Sequence, residues 1–163
     1  MKKLLNLILV MAVVALVCSS CKTTQLSNDA AYVSFETQCL GVELDGSQTL
    51  RAWGKGKDRA DALEQAKKNA VRDVIFKGIR AGVNECNTKP LIFEVNAEEK
   101  YQYYFNKFFA DGGEYKKYVS DADENLTSRM KAVSSTQQNW SVVVRVLRTN
   151  LRERLIQDNI IKP

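Results

Sequence analysis

Nucleophiles, metal ligands and acid–base groups are the residues from which chemistry is built, and this 163-residue chain supplies an uneven set. It has no histidine, which removes the commonest metal ligand and the side chain best suited to proton transfer near neutral pH. It has four cysteines, Cys18, Cys21, Cys39 and Cys86. Cys39 and Cys86, with no CxxC spacing and no histidine, do not make a zinc tetrahedron, so neither a metal nor another cofactor is expected. They read either as a disulfide or as two separate buried thiols packed as small hydrophobes. Carboxylates are plentiful, among them Glu98, Glu99, Glu114, Asp121, Asp123 and Glu124. A pair flanking a cleft could hydrolyse a glycoside. The Asp121–Glu124 run is polar, however, and lacks the glycine and spaced ligands of a calcium loop. A solvated charge run is the better reading. No catalytic residue is assigned.

Cys21 is the cysteine with a definable chemical job. Lys2 and Lys3 precede an apolar run, Leu4 to Val17, interrupted only by Asn6, and Ser19 and Ser20 lead into Cys21. That order is a secretory signal, and the run is shorter than the ~20 apolar residues that span a bilayer. With the cysteine after small residues it resembles a bacterial lipoprotein signal, cleaved before Cys21. Residues 1–20 are then the signal peptide, which takes Cys18 with it. Residues 21–34 are a polar tether lipidated at Cys21, and 35–163 are a single domain. The expected partners are membrane lipid, through the acylated (palmitate-bearing) Cys21, and an envelope protein or glycan. Lys22-Thr23-Thr24 carries no acid after the cysteine, which favours the outer membrane, facing the periplasm, over inner-membrane retention. A soluble exported protein with Cys21 free or paired is the competing reading. Asn125-Leu-Thr127 and Asn139-Trp-Ser141 are N-x-[ST] triplets, read as chance in such a protein.

Charge excludes another class. Lys+Arg number 24 against 19 acids. Loss of residues 1–20, with two lysines and no acid, lowers the net charge from +5 to +3. A nucleic-acid binder shows a dense basic face, whereas here both signs are interspersed, so no nucleic-acid partner is expected.

The elements that must position these residues follow from pattern. Asp45-Gly46 lies between the apolar-rich runs Cys39–Leu44 and Thr49–Trp53, which predicts a hairpin over 35–56 with a tight primed turn. Asp58 is the expected N-cap of a helix running to about Ala81, with Asp61 favouring the positive end of its dipole and Gly82 as C′ residue. Leu63, Ala66, Ala70 and Val74 form its apolar face, widened by Val71, Ile75 and Ile79, while Lys67, Lys68 and Arg72 lie elsewhere. Leu91–Val95 reads as a short strand. Tyr101, Tyr104, Phe105 and Phe108 at helical spacing predict a helix from Ala97 to about Ala110, broken by Asp111-Gly112-Gly113. Residues 114–125 read as helix or loop. Leu126–Val133 and Trp140–Leu147 read as strands around a turn at Ser134–Asn139, the second central in the sheet. Asn150 and Glu153 suggest a capping box opening a last helix. The order β-β-α-(β)-α-β-β-α predicts an α+β fold, a mostly antiparallel sheet with helices packed on one face.

Two stretches carry a family likeness. The first, AWGKGKDRADALEQAKKNAVRDVIFKGI (52–79), has a strand ending in glycines and a helix of A-x-x-x-A-x-x-x-A form. The second, WSVVVRVLRTNLRERLIQDNII (140–161), is an apolar strand followed by a helix with leucines four apart. Together they resemble the N-terminal domain of flagellar assembly protein T and the related Lpp-twenty class of small outer-membrane lipoproteins. The resemblance implies a helix-on-sheet envelope domain without enzymatic activity, and it carries over no catalytic or ligand residue.

Three features invite a sharper reading. Gly54-Lys55-Gly56 precedes a helix N-terminus, where an anion could sit, but no phosphate-loop fingerprint surrounds it, and glycines that bend a strand exit explain it better. Trp53 and Trp140 are expected to pack in the core. Most of the aromatic stripe at 101–108 is expected to face the core. Tyr103 and Phe109 lie partly off it, and Tyr115 and Tyr118 extend it. These four form the expected partner surface. The function expected is therefore a lipid-anchored, non-enzymatic structural or binding component of the outer membrane. A lipid-anchored carboxylate-dependent hydrolase is the reading from another class.

Overall fold

The computed structural model describes residues 35–121, 131–133 and 138–163, with side chains outside 131–138. All of them belong to one compact unit, Ser34–Pro163. The fold is α+β, built on a mostly antiparallel sheet.

The first hairpin forms where Asp45-Gly46 predicts it, between β1 (Gln38–Val42) and β2 (Gln48–Gly56). Its turn is not the primed type. Only Gly46 has positive φ, at 79°. Its amide donates to the Glu43 carbonyl (2.9 Å), and the Glu43 amide donates to that of Ser47 (2.9 Å). Asp45 instead accepts from the Ser47 amide and hydroxyl, a local bond that favours a wider loop.

Helix α1 (Arg59–Phe76) starts as expected, with the Asp58 carboxylate accepting from the Asp61 amide. It stops five residues short of the expected end. Gly78, at φ 73°, is the C′ glycine, and its amide donates to the Asp73 carbonyl (2.7 Å). The apolar spacing that carried the prediction to Ala81 continues only through Ile79, which is buried but lies outside the helix. Gly82 has a different task. It sits in β3 (Ala81–Gly82), paired parallel to β1, where a Cβ would lie 2.1 Å from the Cys39 carbonyl oxygen.

Leu91–Val95 is not a strand. The Leu91 and Ile92 amides donate to the Val74 and Ile75 carbonyls (3.1 and 2.9 Å), so this segment satisfies the open carbonyls at the end of α1. The next helix is split at Tyr101 into α2 (Ala97–Lys100) and α3 (Gln102–Phe108). A 3-10 helix (Glu114–Tyr118) leads into β4 (Val119–Ser120). Of the expected strand Leu126–Val133, the described part is β5 (Lys131–Val133); the remainder and most of the Ser134–Asn139 turn lie outside the described residues. β6 (Gln138–Val146) lies inside the sheet, whose order is β3-β1-β2-β6-β4 with β5 also paired to β6. Helix α4 (Arg148–Gln157) begins after Leu147 with no side-chain cap, so Asn150 and Glu153 form no capping box.

Register explains the core. Leu50 and Ala52 of β2 pair with Val144 and Val142 of β6, and all four are buried on one face. Ala62, Ala66, Ala70, Val71, Val74 and Ile75 of α1 are buried as well, and the α1 residues from Ala66 onward join that face in one core. Phe105 and Phe108 of α3, Tyr115 and the α4 leucines Leu151 and Leu155 complete the core. Alanines let α1 lie close, and the glycines of β2 make the approach possible. A Cβ on Gly54 would meet the Ala62 carbonyl oxygen at 2.0 Å, and one on Gly56 the Ala62 amide at 2.5 Å. The Gly-Lys-Gly stretch thus serves helix–strand contact.

Candidate functional site

Among the described residues, three depressions lie along the exposed flank and C-terminal end of α1. A groove of ≈490 Å³ separates α1 from α2 and α3, with Lys68, Arg72 and Glu98 on its walls and Phe76, Phe105 and Phe109 at its floor. A second of ≈530 Å³, lined by Thr37, Asp73 and Arg80, and a third of ≈300 Å³, lined by Ile92 and Glu94, also include Phe76. Phe76 is therefore the shared apolar wall of three adjoining depressions. Its ring meets that of Phe105 edge-on at 4.8 Å.

Ion pairs hold the groove in shape. Arg72 donates to both Glu98 oxygens (2.5 and 2.8 Å), joining α1 to α2. Lys68 reaches Asp111 at 2.7 Å and Lys67 reaches Asp121 at 2.5 Å. These pairs are open to solvent, Asp111 almost wholly so, and therefore orient the walls more than they stabilise the fold.

The expected partner surface is divided by packing. Tyr103 is 77% exposed, with the Lys107 ammonium 4.1 Å from its ring centre. Phe109 is partly buried and stacks near Phe105 (6.0 Å), while Tyr118 is partly buried against Phe108 (5.9 Å). Tyr115 is wholly buried, so it is a core residue and not a docking one. Its hydroxyl donates to Glu64. Burial, followed by that carboxylate, holds the phenol well above its ordinary range. The 3-10 turn brings Tyr115 inward, which helical spacing does not show. Trp53 is buried on the sheet face opposite α1, whereas Trp140, opposite Gly54 in register, lies half-buried near the start of α1.

Phe93 and Val95 were missed by the sequence reading. They are 70% and 85% exposed, and alternate along the chain with Ile92, Glu94 and Asn96, which line the third depression. The apolar character of Leu91–Val95 predicts a strand and does not distinguish its exposed side chains from its buried ones, whereas Pro90 signals that the segment leaves regular structure.

The cysteine pair resolves as a disulfide. Cys39 and Cys86 are bonded, with Cα atoms 5.8 Å apart at a sequence separation of 47. The bond ties β1 to the loop that carries Leu91, Ile92 and Phe93.

Four carboxylates among the described residues are held below their ordinary range. Burial pushes Glu64 upward, but hydrogen bonds from Lys116 and Tyr115 and nearby lysine charges outweigh it, and its pKa ends below the ordinary value. Asp45 is lowered by Ser47, Glu94 by Lys100 and Asp111 by Lys68. A general acid needs the opposite shift. Among the described residues, no group of three or more Cys, Asp or Glu side chains is placed to hold a metal ion.

No protein family model, no curated protein and no solved structure matches this chain. The fold defines its class: an α+β domain with its principal helix on a mostly antiparallel sheet, stapled by the Cys39–Cys86 disulfide.

Proposed function

We propose that this is a lipid-anchored bacterial envelope protein, a non-enzymatic structural or binding component of the outer membrane held by acylated Cys21. The Lys2–Cys21 pattern carries the reading, because a charged start, a short apolar run and small residues before a cysteine suit cleavage and acylation at that cysteine. The Cys39–Cys86 disulfide supports it, since such bonds persist in oxidising compartments such as the periplasm. The resemblance of residues 52–79 and 140–161 to small outer-membrane lipoproteins points the same way.

The binding surface in this reading comprises the groove along α1 that includes Phe76, and the exposed apolar side chains Phe93, Val95 and Tyr103. An envelope protein or glycan is the expected occupant.

Labelling with radioactive palmitate, together with the mass of the mature N-terminus, tests the anchor. The wild-type chain is expected to take up label and to begin at a modified Cys21. A Cys21→Ala chain that still takes up label and stays with membranes would overturn the proposal.

A further inference from the structure

Carboxamide side chains line both walls of the ≈490 Å³ groove. Gln65 and Asn69 come from α1, Gln102 and Asn106 from α3, each pair one helical turn apart. A carboxamide offers two N–H donors and an acceptor oxygen. Asn69 is held in place, its amide donating to the Trp53 carbonyl (2.8 Å) and its oxygen accepting from Gln65 (3.1 Å). Among the described residues, no donor reaches the Gln65 oxygen, and no hydrogen bond or ion pair engages the Gln102 or Asn106 side chain. Charge is nearly balanced along the walls. Lys68 pairs with Asp111 and Arg72 with Glu98, so Glu99 is the lining charge left over. An ionic ligand meets no concentrated countercharge there. Phe76 and Phe109, both half-buried, add apolar ring surface. The volume lies within the range of small-ligand sites, about 300–1,000 Å³.

We propose that this groove binds a neutral sugar chain bearing acetamido groups. The proposal deepens the envelope-binding reading and rests on it. An acetamido group carries one N–H and one carbonyl, the complement of a carboxamide, and its methyl group suits a phenylalanine wall. Sugar hydroxyls take the remaining donors and acceptors, and the C–H edges of the sugar pack on the rings. A peptide fits less well. An extended peptide adds to a sheet edge, and no strand lines the groove. A helical peptide needs a continuous apolar trough, which the carboxamides interrupt. Phe93 and Val95 do not line the groove and remain open to a protein partner.

The test is titration calorimetry of the purified protein with chitotetraose, a chain of N-acetylglucosamine, and with cellotetraose, which has hydroxyls in place of the acetamido groups. Chitotetraose is expected to bind about tenfold more tightly, or better. The double variant Gln102→Ala, Asn106→Ala is expected to weaken chitotetraose binding by about tenfold or more. A matched variant at exposed positions outside the groove, Lys107→Ala with Arg152→Ala, is expected to bind like the parent. Thermal unfolding checks that each variant folds. No binding of chitotetraose, equal binding of the two sugars, or equal effects of the two variants would overturn the proposal. If chitotetraose fails while Gln102→Ala, Asn106→Ala loses a protein crosslink in intact envelopes, the envelope-binding reading stands without the sugar. Palmitate labelling at Cys21 does not depend on the groove, so the anchor and the sugar site can fail separately.

Discussion

At the scale of single residues, the Tyr115–Glu64 contact is the most consequential polar pair. It lies where the 3-10 helix meets α1, with Lys116 also 2.8 Å from Glu64. The folded state holds the Glu64 carboxyl below its ordinary value. Its stabilisation is therefore present above about pH 4.5 and is lost as pH falls through the folded pKa. The Tyr115 phenol is held above its ordinary value, so its contribution is present below about pH 10 and is lost as pH rises beyond it. Urea unfolding followed across pH is expected to show both slopes. Glu64→Gln is expected to flatten the acid limb, and Tyr115→Phe the alkaline limb, at a cost of about 1 kcal/mol near neutrality. An unchanged acid limb in Glu64→Gln would refute this account.

At the scale of elements, the seating of α1 on β2 governs the fold. Ala62 and Ala66 rest against Gly54 and Gly56, where a single added carbon meets backbone. Backbone cannot rotate aside as a flexible side chain does. Gly54→Ala is therefore expected to cost about 3 kcal/mol, with thermal unfolding as the readout. Wild-type stability in that variant would mean that α1 can lift from the sheet. The other end of α1 is closed by chain from far along the sequence. Leu91 and Ile92 cap its carbonyls, and Arg148 donates to the Lys89 carbonyl at 3.0 Å and reaches that of Val74 at 3.5 Å. Burial pushes the Arg148 guanidinium below its ordinary value.

At the scale of the molecule, the disulfide restrains the loop that carries the proposed binding face. Closing a loop over a 47-residue separation removes unfolded-state entropy worth about 4 kcal/mol in the chain-entropy account. Cys86→Ser is expected to lower stability by roughly 2–4 kcal/mol. It should also raise hydrogen exchange at the Leu91 and Ile92 amides, because their loop loses its tether to β1. Protection unchanged in that variant would show that the hydrogen bonds to α1 hold the loop alone. Phe93 and Val95 are exposed, so Phe93→Ser with Val95→Ser is expected to change stability by less than about 0.5 kcal/mol each. Crosslinking in intact envelopes is expected to lose a partner band in the same variant. A full partner band would place the docking face elsewhere.

The sequence by itself determined the elements whose cause is local. Asp45-Gly46 marked a hairpin, Asp58 the start of α1, and the β-branched run of β6 an interior strand. The period of Tyr104, Phe105 and Phe108 marked a packed face. Each signal rests on a few neighbouring residues, and the structure realises each. Tertiary structure decided what depends on distant partners. It ended α1 at Phe76, turned Leu91 and Ile92 into a cap, bonded Cys39 to Cys86, and buried Tyr115 while leaving Tyr103, Phe93 and Val95 in solvent. Apolar character states that a side chain gains by leaving water. Only the packing of remote segments determines which side chains find a place to do so.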